Sequence, residues 1–149
     1  VGKTLGLDDL VQACNNQVGE SFVLIEGAGG LYSPIAEKAL NSDLAVLLQL
    51  PVIIVVRDEL GAVSQGLLAI EAAKKNNLEV VCLVLNEINS NTLSNKESLA
   101  GYTNVPILPF AKGNLEFFNS EIESYSSNSY SYSQLVGTKK ASSRSYNPP

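Results

Sequence analysis

Apolar residues occur in short unbroken runs along the chain, and stretches with helical spacing separate these runs. The runs predict strands over residues 22–26, 52–56, 80–85 and 105–108. Unbroken runs rich in Val and Ile, without strict alternation, are typical of parallel strands that are buried on both faces. We therefore expect an α/β fold that is doubly wound, with a mostly parallel sheet and flanking helices.

Helical spacing of apolar residues separates these strands. It is set by Leu7, Leu10, Val11 and Cys14 near the beginning, and by Val63, Leu67, Ile70 and Lys74 after the second predicted strand. We expect Ser42 to cap a helix over 43–49, and Asn76-Asn77 to end the helix that contains Val63. Residues 92–101 predict a further short, polar helix.

The composition changes near residue 118. Residues 120–149 hold ten Ser and four of the six Tyr, with few aliphatic side chains. Such a segment buries too little apolar surface to offset its ordering entropy. We expect an α/β domain over 1–118 and a Ser/Tyr-rich, disordered tail over 119–149. The tail is either a solvated terminus or, through Lys139, Lys140 and Arg144, a short docking element.

Composition and charge exclude several classes of function. The 149 residues carry a net charge of −5, which gives no basic surface for nucleic acid or an anionic membrane. With no His, a Ser-His-Asp hydrolase and a His-ligated zinc enzyme are excluded. Cys14 and Cys82 lie in apolar surroundings and are expected to be reduced packing residues of a cytoplasmic protein.

Neither a membrane span nor a signal peptide is predicted. The longest apolar stretch, over residues 44–56, is interrupted by Gln49 and Pro51, and it is shorter than the roughly 20 residues that a spanning helix needs. The absence of Met makes Val1 a candidate for an internal point of a longer chain.

Polar or glycine-rich groups follow three of the predicted strands. Ligands of an open parallel sheet bind beyond the carboxyl ends of its strands, so these groups are candidates for a site. They are Glu26-Gly27-Ala28-Gly29-Gly30, Arg57-Asp58-Glu59-Leu60-Gly61 and Asn86-Glu87. Each also has a simpler explanation: a flexible turn for the glycines, a solvated loop for the charged residues and a strand-ending turn for Asn86.

The tripeptide Gly2-Lys3-Thr4 precedes the first predicted helix and matches the second half of the phosphate-binding motif GxxxxGKS/T. In that motif backbone N–H groups cradle phosphates, Lys neutralises them and Thr coordinates Mg²⁺. A chance match at an exposed terminus is the alternative. Glu26 favours the motif, because a carboxylate that ends a strand beside a phosphate loop suits a metal-associated acid.

Taken together, these segments resemble dethiobiotin synthetase, a family of P-loop NTPase-like fold. The resemblance covers residues 1–4 and 8–111 and is carried by VGKT, VLIEGAGGLYSPI, DLAVLLQLPVIIVVRDELGAVSQGLLAIEAA, VVCLVLNEI and NVPILPF. It implies a cytoplasmic homodimer that uses ATP and Mg²⁺ to close the cyclic urea of dethiobiotin from 7,8-diaminopelargonate and CO₂. A carbamate would be phosphorylated and then attacked by the second amine.

The resemblance also assigns roles to residues. Gly2, Lys3 and Thr4 would bind the nucleotide, with Lys3 on the transferred phosphate and Thr4 and Glu26 on Mg²⁺; Lys3 and Glu26 are the catalytic candidates. The crevice for phosphate and substrate would be lined by Gly27, Ala28, Gly29 and Gly30. Asn86 would read adenine beside a loop at Pro109. The substrate carboxylate would bind at a helix N-terminus of the neighbouring subunit, formed by Leu60, Gly61, Ala62, Val63 and Ser64.

Departures from the family pattern keep two alternatives open. A Lys-Pro segment that holds the carbamate in the family is missing, only residues 5–21 separate VGKT from the next strand, and Ser64-Gln65 replaces the usual Asn-His. One alternative is a nucleotide-binding regulatory domain of the same superfamily, such as the module attached to some phosphotransacetylases or a ParA-like ATPase. The other is a degenerate, non-catalytic binding protein.

Overall fold

The computed structural model of the chain describes residues 5–16, 23–117 and 119–120. The helices and strands that lie wholly within these ranges follow one another along the chain. They are α1 (Leu7–Asn15), β1 (Pro34–Ala36), β2 (Ala39–Leu40), α2 (Asn41–Leu48), β3 (Val52–Arg57), α3 (Ala62–Lys75), β4 (Val80–Glu87), α4 (Asn95–Ala100) and β5 (Ile107–Ala111).

The main sheet consists of three parallel strands in the order β3-β4-β5. Helix α3 connects β3 to β4 and helix α4 connects β4 to β5, and both helices pack against the sheet. This arrangement confirms the predicted α/β class with a parallel sheet and flanking helices. The strands predicted over 52–56 and 80–85 are confirmed and extend to Arg57 and Glu87.

The core lies between the sheet and helices α3 and α4. Because Ile54 pairs with Leu83 and Val56 with Leu85, these four side chains share the face of the sheet that α3 covers. Burying their apolar surface stabilises the fold. The buried cluster consists of Val56, Ala62, Ile70, Leu83, Leu85, Leu99 and Ile107.

The opposite face of β3 is open among the described residues. Ile53 is 51% exposed and Val55 is 62% exposed, although both belong to the same apolar run as the buried Val56. The expectation that the run is buried on both faces is therefore wrong for β3. A run of Val and Ile reports a preference for strand, and which faces are covered depends on what packs there.

Helices α1 and α3 begin and end close to their predicted positions. In α1 the Gly6 amide donates to the Asp9 carboxylate at 3.0 Å, which satisfies one free donor of the first turn. Helix α3 ends at Lys75 with Asn76 as its C-cap, and Asn77 follows with a left-handed φ of 55°. Lys74, predicted to share the apolar face, is exposed and pairs with Glu71 instead.

The beginning of α2 differs from the prediction. Ser42 is not the cap: it lies inside the helix and is 2% exposed. The Leu40 amide donates instead to the Asp43 carboxylate at 2.7 Å, so the acidic residue of the first turn takes over the capping. The polar helix predicted over 92–101 is shorter than expected, because α4 begins only at Asn95.

The first predicted strand is not formed over its described part. Residues 23–27 have no regular secondary structure, Leu24 is 76% exposed, and Phe22 lies outside the described residues. A strand requires a hydrogen-bonded neighbour, and no described strand pairs with this segment. The last strand, predicted over 105–108, begins two residues later at Ile107, and the antiparallel hairpin of β1 and β2 was not predicted.

Both cysteines are free, and Cys82 is buried within β4. No helix in the described ranges combines the length and apolarity that crossing a bilayer would require. The disordered tail predicted over 119–149 lies outside the described residues except for 119–120, and it stays a prediction.

Candidate functional site

The three residues of the phosphate-binding tripeptide, Gly2, Lys3 and Thr4, lie outside the described residues. Their roles toward nucleotide and metal stay predictions. Of the catalytic candidates, only Glu26 is described, and its side chain is exposed at the beginning of the glycine loop. An exposed carboxylate is free to reach a ligand in solution.

The loop over residues 27–30 is exposed and is folded by a local turn. The Gly30 amide donates to the Ser33 hydroxyl at 2.9 Å, and the Ser33 amide donates back to the Gly30 carbonyl at 2.9 Å. Gly29 has a φ of 78°, and a Cβ there would lie 2.7 Å from Ser33 Oγ. The turn therefore requires glycine at position 29, which favours a built loop over a merely flexible one.

A buried asparagine, which was not among the predicted site residues, donates hydrogen bonds to the backbone of this loop. Asn41, in the first turn of α2, donates from its amide nitrogen to the carbonyls of Ala28 at 2.8 Å, Gly30 at 2.9 Å and Ser33 at 3.3 Å. Its side chain is 9% exposed. No sequence signal identifies this residue, since its partners lie 8 to 13 positions away.

The predicted carboxylate-binding segment surrounds the N-terminus of α3. Gly61, with a φ of 96°, precedes the helix and offers no side chain to cap it. Ala62 is fully buried and its N–H donates to the Glu59 carbonyl at 3.0 Å, while the side chain of Val63 packs against the core. Of these two residues, only Val63 can therefore offer a backbone N–H to a ligand. Leu60 is 88% exposed and Ser64 is exposed. Uncapped N–H groups at a helix N-terminus favour a negatively charged group.

Two asparagines tie the loop before α3 to the loop after β4. Asn91 donates to the backbone carbonyl of Asp58 at 2.8 Å. The buried Asn95 donates to the Asp58 carboxylate at 2.7 Å and to the Glu59 carbonyl at 3.3 Å. Asp58 is therefore a fixed part of the structure, and the simpler interpretation of a solvated loop is wrong for this residue.

A cavity of about 140 Å³ lies beyond the carboxyl ends of β3 and β4. It brings together the predicted adenine reader Asn86 and Leu60 of the carboxylate-binding segment. Charged and amide groups from the loop before α3 and from the loop after β4 supply its polar lining. The lining residues are Arg57, Asp58, Glu59, Leu60, Asn86, Ile88, Asn89, Ser90, Asn91 and Leu93.

Pro109 does not lie where the prediction placed it. It is inside β5 and pairs with Leu85, whereas Asn86 pairs with Phe110. Successive residues of a strand point to opposite faces, so Pro109 and Asn86 lie on opposite faces of the sheet. A loop at Pro109 beside Asn86 is therefore not formed, and neither Pro109 nor the glycine loop lines the cavity.

Glu26 is the described residue that the prediction assigned to Mg²⁺. Within the described residues, no group of three or more His, Cys, Asp or Glu side chains could hold a metal ion. Mg²⁺ commonly binds through one or two carboxylates and takes its other ligands from phosphates and water. A single exposed carboxylate beside a glycine loop fits that donor pattern.

Comparison with known proteins defines the class. A family model described as an AAA domain matches residues 2–112, and the chain belongs to this family, which is a P-loop family.

The curated relatives show which enzymes this chain is similar to. ATP-dependent dethiobiotin synthetase BioD of Vesicomyosocius okutanii is 48% identical over 123 residues, which are 83% of this chain and 56% of that protein. The protein of the same name from Ruthia magnifica is 45% identical over 82% of this chain and 56% of its own length. That from Bacillus thuringiensis is 36% identical, over 81% and 52%. The resemblance to dethiobiotin synthetase is confirmed, and the chain spans about half the length of these relatives.

Proposed function

We propose that the chain belongs to an ATP-dependent ligase that closes the cyclic urea of dethiobiotin from 7,8-diaminopelargonate and CO₂. The observation that carries this proposal is the juxtaposition, at the carboxyl ends of β3 and β4, of an uncapped helix N-terminus and Asn86. The names of the relatives, all ATP-dependent dethiobiotin synthetases, support the choice of reaction.

The substrate carboxylate is assigned to the N-terminus of α3. The backbone N–H groups of Val63 and Ser64 lie in the first turn, where the helix dipole favours an anion by about 0.3–1 kcal/mol. The exposed side chain of Leu60 supplies apolar contact for the aliphatic chain of the substrate. In a homodimer, this segment would serve the site of the neighbouring subunit.

The reaction consists of three steps. One amine of the substrate attacks CO₂, loses a proton and becomes a carbamate. A carbamate oxygen then attacks the γ-phosphorus of ATP, and ADP leaves. The second amine attacks the carbonyl carbon of the resulting mixed anhydride, phosphate leaves with the bonding electron pair, and a proton is lost as the urea ring closes.

The chain's own residues would orient these partners and offset charge. Lys3 would contact the transferred phosphate, whose oxygens gather negative charge during transfer. The loop of Gly27, Ala28, Gly29 and Gly30 has no bulky side chain and lets backbone N–H groups approach the reacting end of the substrate. Asn86 carries both a donor and an acceptor, as the edge of adenine requires.

Mg²⁺ would be held by Thr4 and Glu26, and it would supply charge neutralisation between the phosphates. We place the protein in the cytoplasm, where ATP is available, and propose no nucleic-acid or membrane partner. The net charge of −5 supports the proposal of no nucleic-acid or anionic-membrane partner.

The proposal is tested by measuring ADP release with Mg-ATP and bicarbonate, with and without 7,8-diaminopelargonate. We expect release that depends on the diamine and that Lys3→Ala lowers by at least about 100-fold, since the lysine stabilises charge formed in the transition state. Gln65→Ala, an exposed position beside the carboxylate segment, serves as the control. If the chain shows no turnover and no saturable ATP binding, the enzyme proposal fails and a degenerate, non-catalytic binding protein remains. Saturable ATP binding without turnover would favour a nucleotide-binding regulatory domain.

A further inference from the structure

We propose that Asn41 is a positioning residue that sets the direction of the backbone N–H groups in the loop over residues 27–30. This inference rests on the proposed function, because it gives the loop a role toward 7,8-diaminopelargonate. Asn41 lies at the first position of α2 and is buried, so it contacts the loop from the protein interior and not from the solvent-exposed side where a substrate would bind. It acts through the carbonyls that it binds.

The geometry follows from the planarity of the peptide bond. In a trans peptide the carbonyl and the next N–H point in opposite directions. No cis peptide is found among the described residues. Because Asn41 draws the Ala28 carbonyl inward at 2.8 Å, the N–H of Gly29 points outward. The Gly30 carbonyl, held at 2.9 Å, turns the N–H of Leu31 away from Asn41 in the same manner.

The packing around Asn41 is specific to an asparagine facing a glycine. A Cβ built on Gly27 would lie 2.7 Å from Asn41 Oδ1, so the amide fits beneath the loop only because Gly27 has no side chain. The same Oδ1 is buried and has no hydrogen-bond partner among the described residues. Leaving a buried acceptor unpaired is unfavourable. The side chain is kept in place by its two amide hydrogens, which three carbonyl oxygens share as acceptors.

The test compares Asn41→Ala and Asn41→Ser with the unmodified chain in the ADP-release assay. We expect the KM for 7,8-diaminopelargonate to rise about tenfold in both variants, with the KM for ATP changed less than twofold. Serine is well tolerated in the first turn of a helix but is too short to reach the three carbonyls, so both variants remove the same contacts.

The matched control is Thr103→Ala, which removes a side-chain hydrogen bond to a backbone group outside the loop. Thr103 Oγ1 accepts from the Val105 amide at 3.1 Å, just before β5. We expect neither KM to change. A uniform loss of activity in the control and in the Asn41 variants alike would overturn the positioning role.

Backbone NMR order parameters of residues 28–31 separate this inference from the proposed function. Lower order parameters confined to these residues in Asn41→Ala, together with the KM change, support the inference. Unchanged order parameters or an unchanged diamine KM overturn it. If the unmodified chain has no turnover, the proposed function fails, and the order parameters alone decide whether Asn41 holds the loop. If neither variant folds, Asn41 belongs to the fold and the inference is wrong.

Discussion

Buried asparagine side chains stabilise two loops of this molecule through hydrogen bonds. Asn41, Ser42 and Asn95 are the buried polar residues in the described ranges, and both asparagines donate to loop carbonyls. A buried amide that loses its partner costs about 1–3 kcal/mol, so each asparagine strongly favours one loop conformation. Two amides thus define the conformations of the glycine loop and of the loop that precedes α3.

Cys82 gives the stability of the fold a dependence on alkaline pH. Burial raises the pKa of its thiol from 9.0 to about 11, because the thiolate is poorly solvated inside β4. The folded state therefore keeps a proton that the unfolded state loses above pH 9. The stabilisation is complete below pH 9 and is lost as the pH rises toward about 11.

We expect the free energy of unfolding to fall by about 2 kcal/mol between about pH 8 and about pH 10.5 through this group. Urea titrations of the unmodified chain and of Cys82→Ala at both pH values measure the effect. The variant has no thiol at this position, so its decline over the same interval should be smaller by that amount. Equal declines would show that the thiol does not contribute.

At the scale of the elements, the contact of α3 with the sheet depends on a glycine. Gly66 is buried in the middle of α3, where glycine is unfavourable by about 1 kcal/mol relative to alanine. A Cβ at this position would lie 2.9 Å from Leu83 Cδ1 and 3.2 Å from Leu99 Cδ2. Both leucines are fully buried and have little room to move. Close packing of α3 against β4 and α4 therefore outweighs helix propensity here.

Gly66→Ala should lower the free energy of unfolding by about 1 kcal/mol, because overpacking costs about 1–3 kcal/mol and the propensity gain recovers about 1 kcal/mol. Chemical denaturation measures the change. Gln65→Ala, on the exposed side of the same helix, should change stability by less than about 0.5 kcal/mol. A stabilised Gly66→Ala variant would mean that the leucines can repack.

Helices and strands that are specified by their own residues could be predicted from the sequence. Those that form only beside a neighbouring strand could not. Helical spacing predicted α1 and α3, and the apolar runs predicted β3 and β4. The run at 23–25 is also apolar, but none of the described strands pairs with it. The β1–β2 hairpin turns through Lys38 with a φ of 54°, at a position without the usual glycine.

The site follows the same division. The glycine loop and Asn86 were predicted because they directly follow apolar runs, where sheet topology places ligands. Asn95 was not predicted, since it reaches Asp58 from 37 residues away and a single sequence holds no sign of that pairing. Pro109 was assigned to a loop by the resemblance to the family, whereas in this structure β5 accommodates it within the strand.

At the scale of the whole molecule, the described part of the chain has an apolar face that its own residues leave open. Ile53 and Val55 point away from α3 on β3, with 51% and 62% of their side chains exposed. Neighbouring exposed apolar side chains on a flat strand bind hydrophobic dyes and favour association.

Replacing both residues with Thr, which retains strand propensity, should reduce binding of the dye ANS severalfold and change stability by less than about 1 kcal/mol. Dye fluorescence and urea denaturation measure the two quantities. Ile54→Thr is the contrasting variant, because Ile54 packs against the core on the other face of the sheet. This substitution should lower the free energy of unfolding by about 1–3 kcal/mol. Unchanged dye binding in the double variant would show that this face is covered in solution.

The parallel sheet also determines how fast the molecule can assemble. Val52 pairs with Val80 and Leu83 with Ile107, so each strand pairing must wait until an intervening crossover has brought distant segments together. Such non-local pairing slows folding relative to a helical protein of similar size. Helix α3 brings β3 and β4 together, so a change that weakens its docking should slow refolding more than it speeds unfolding.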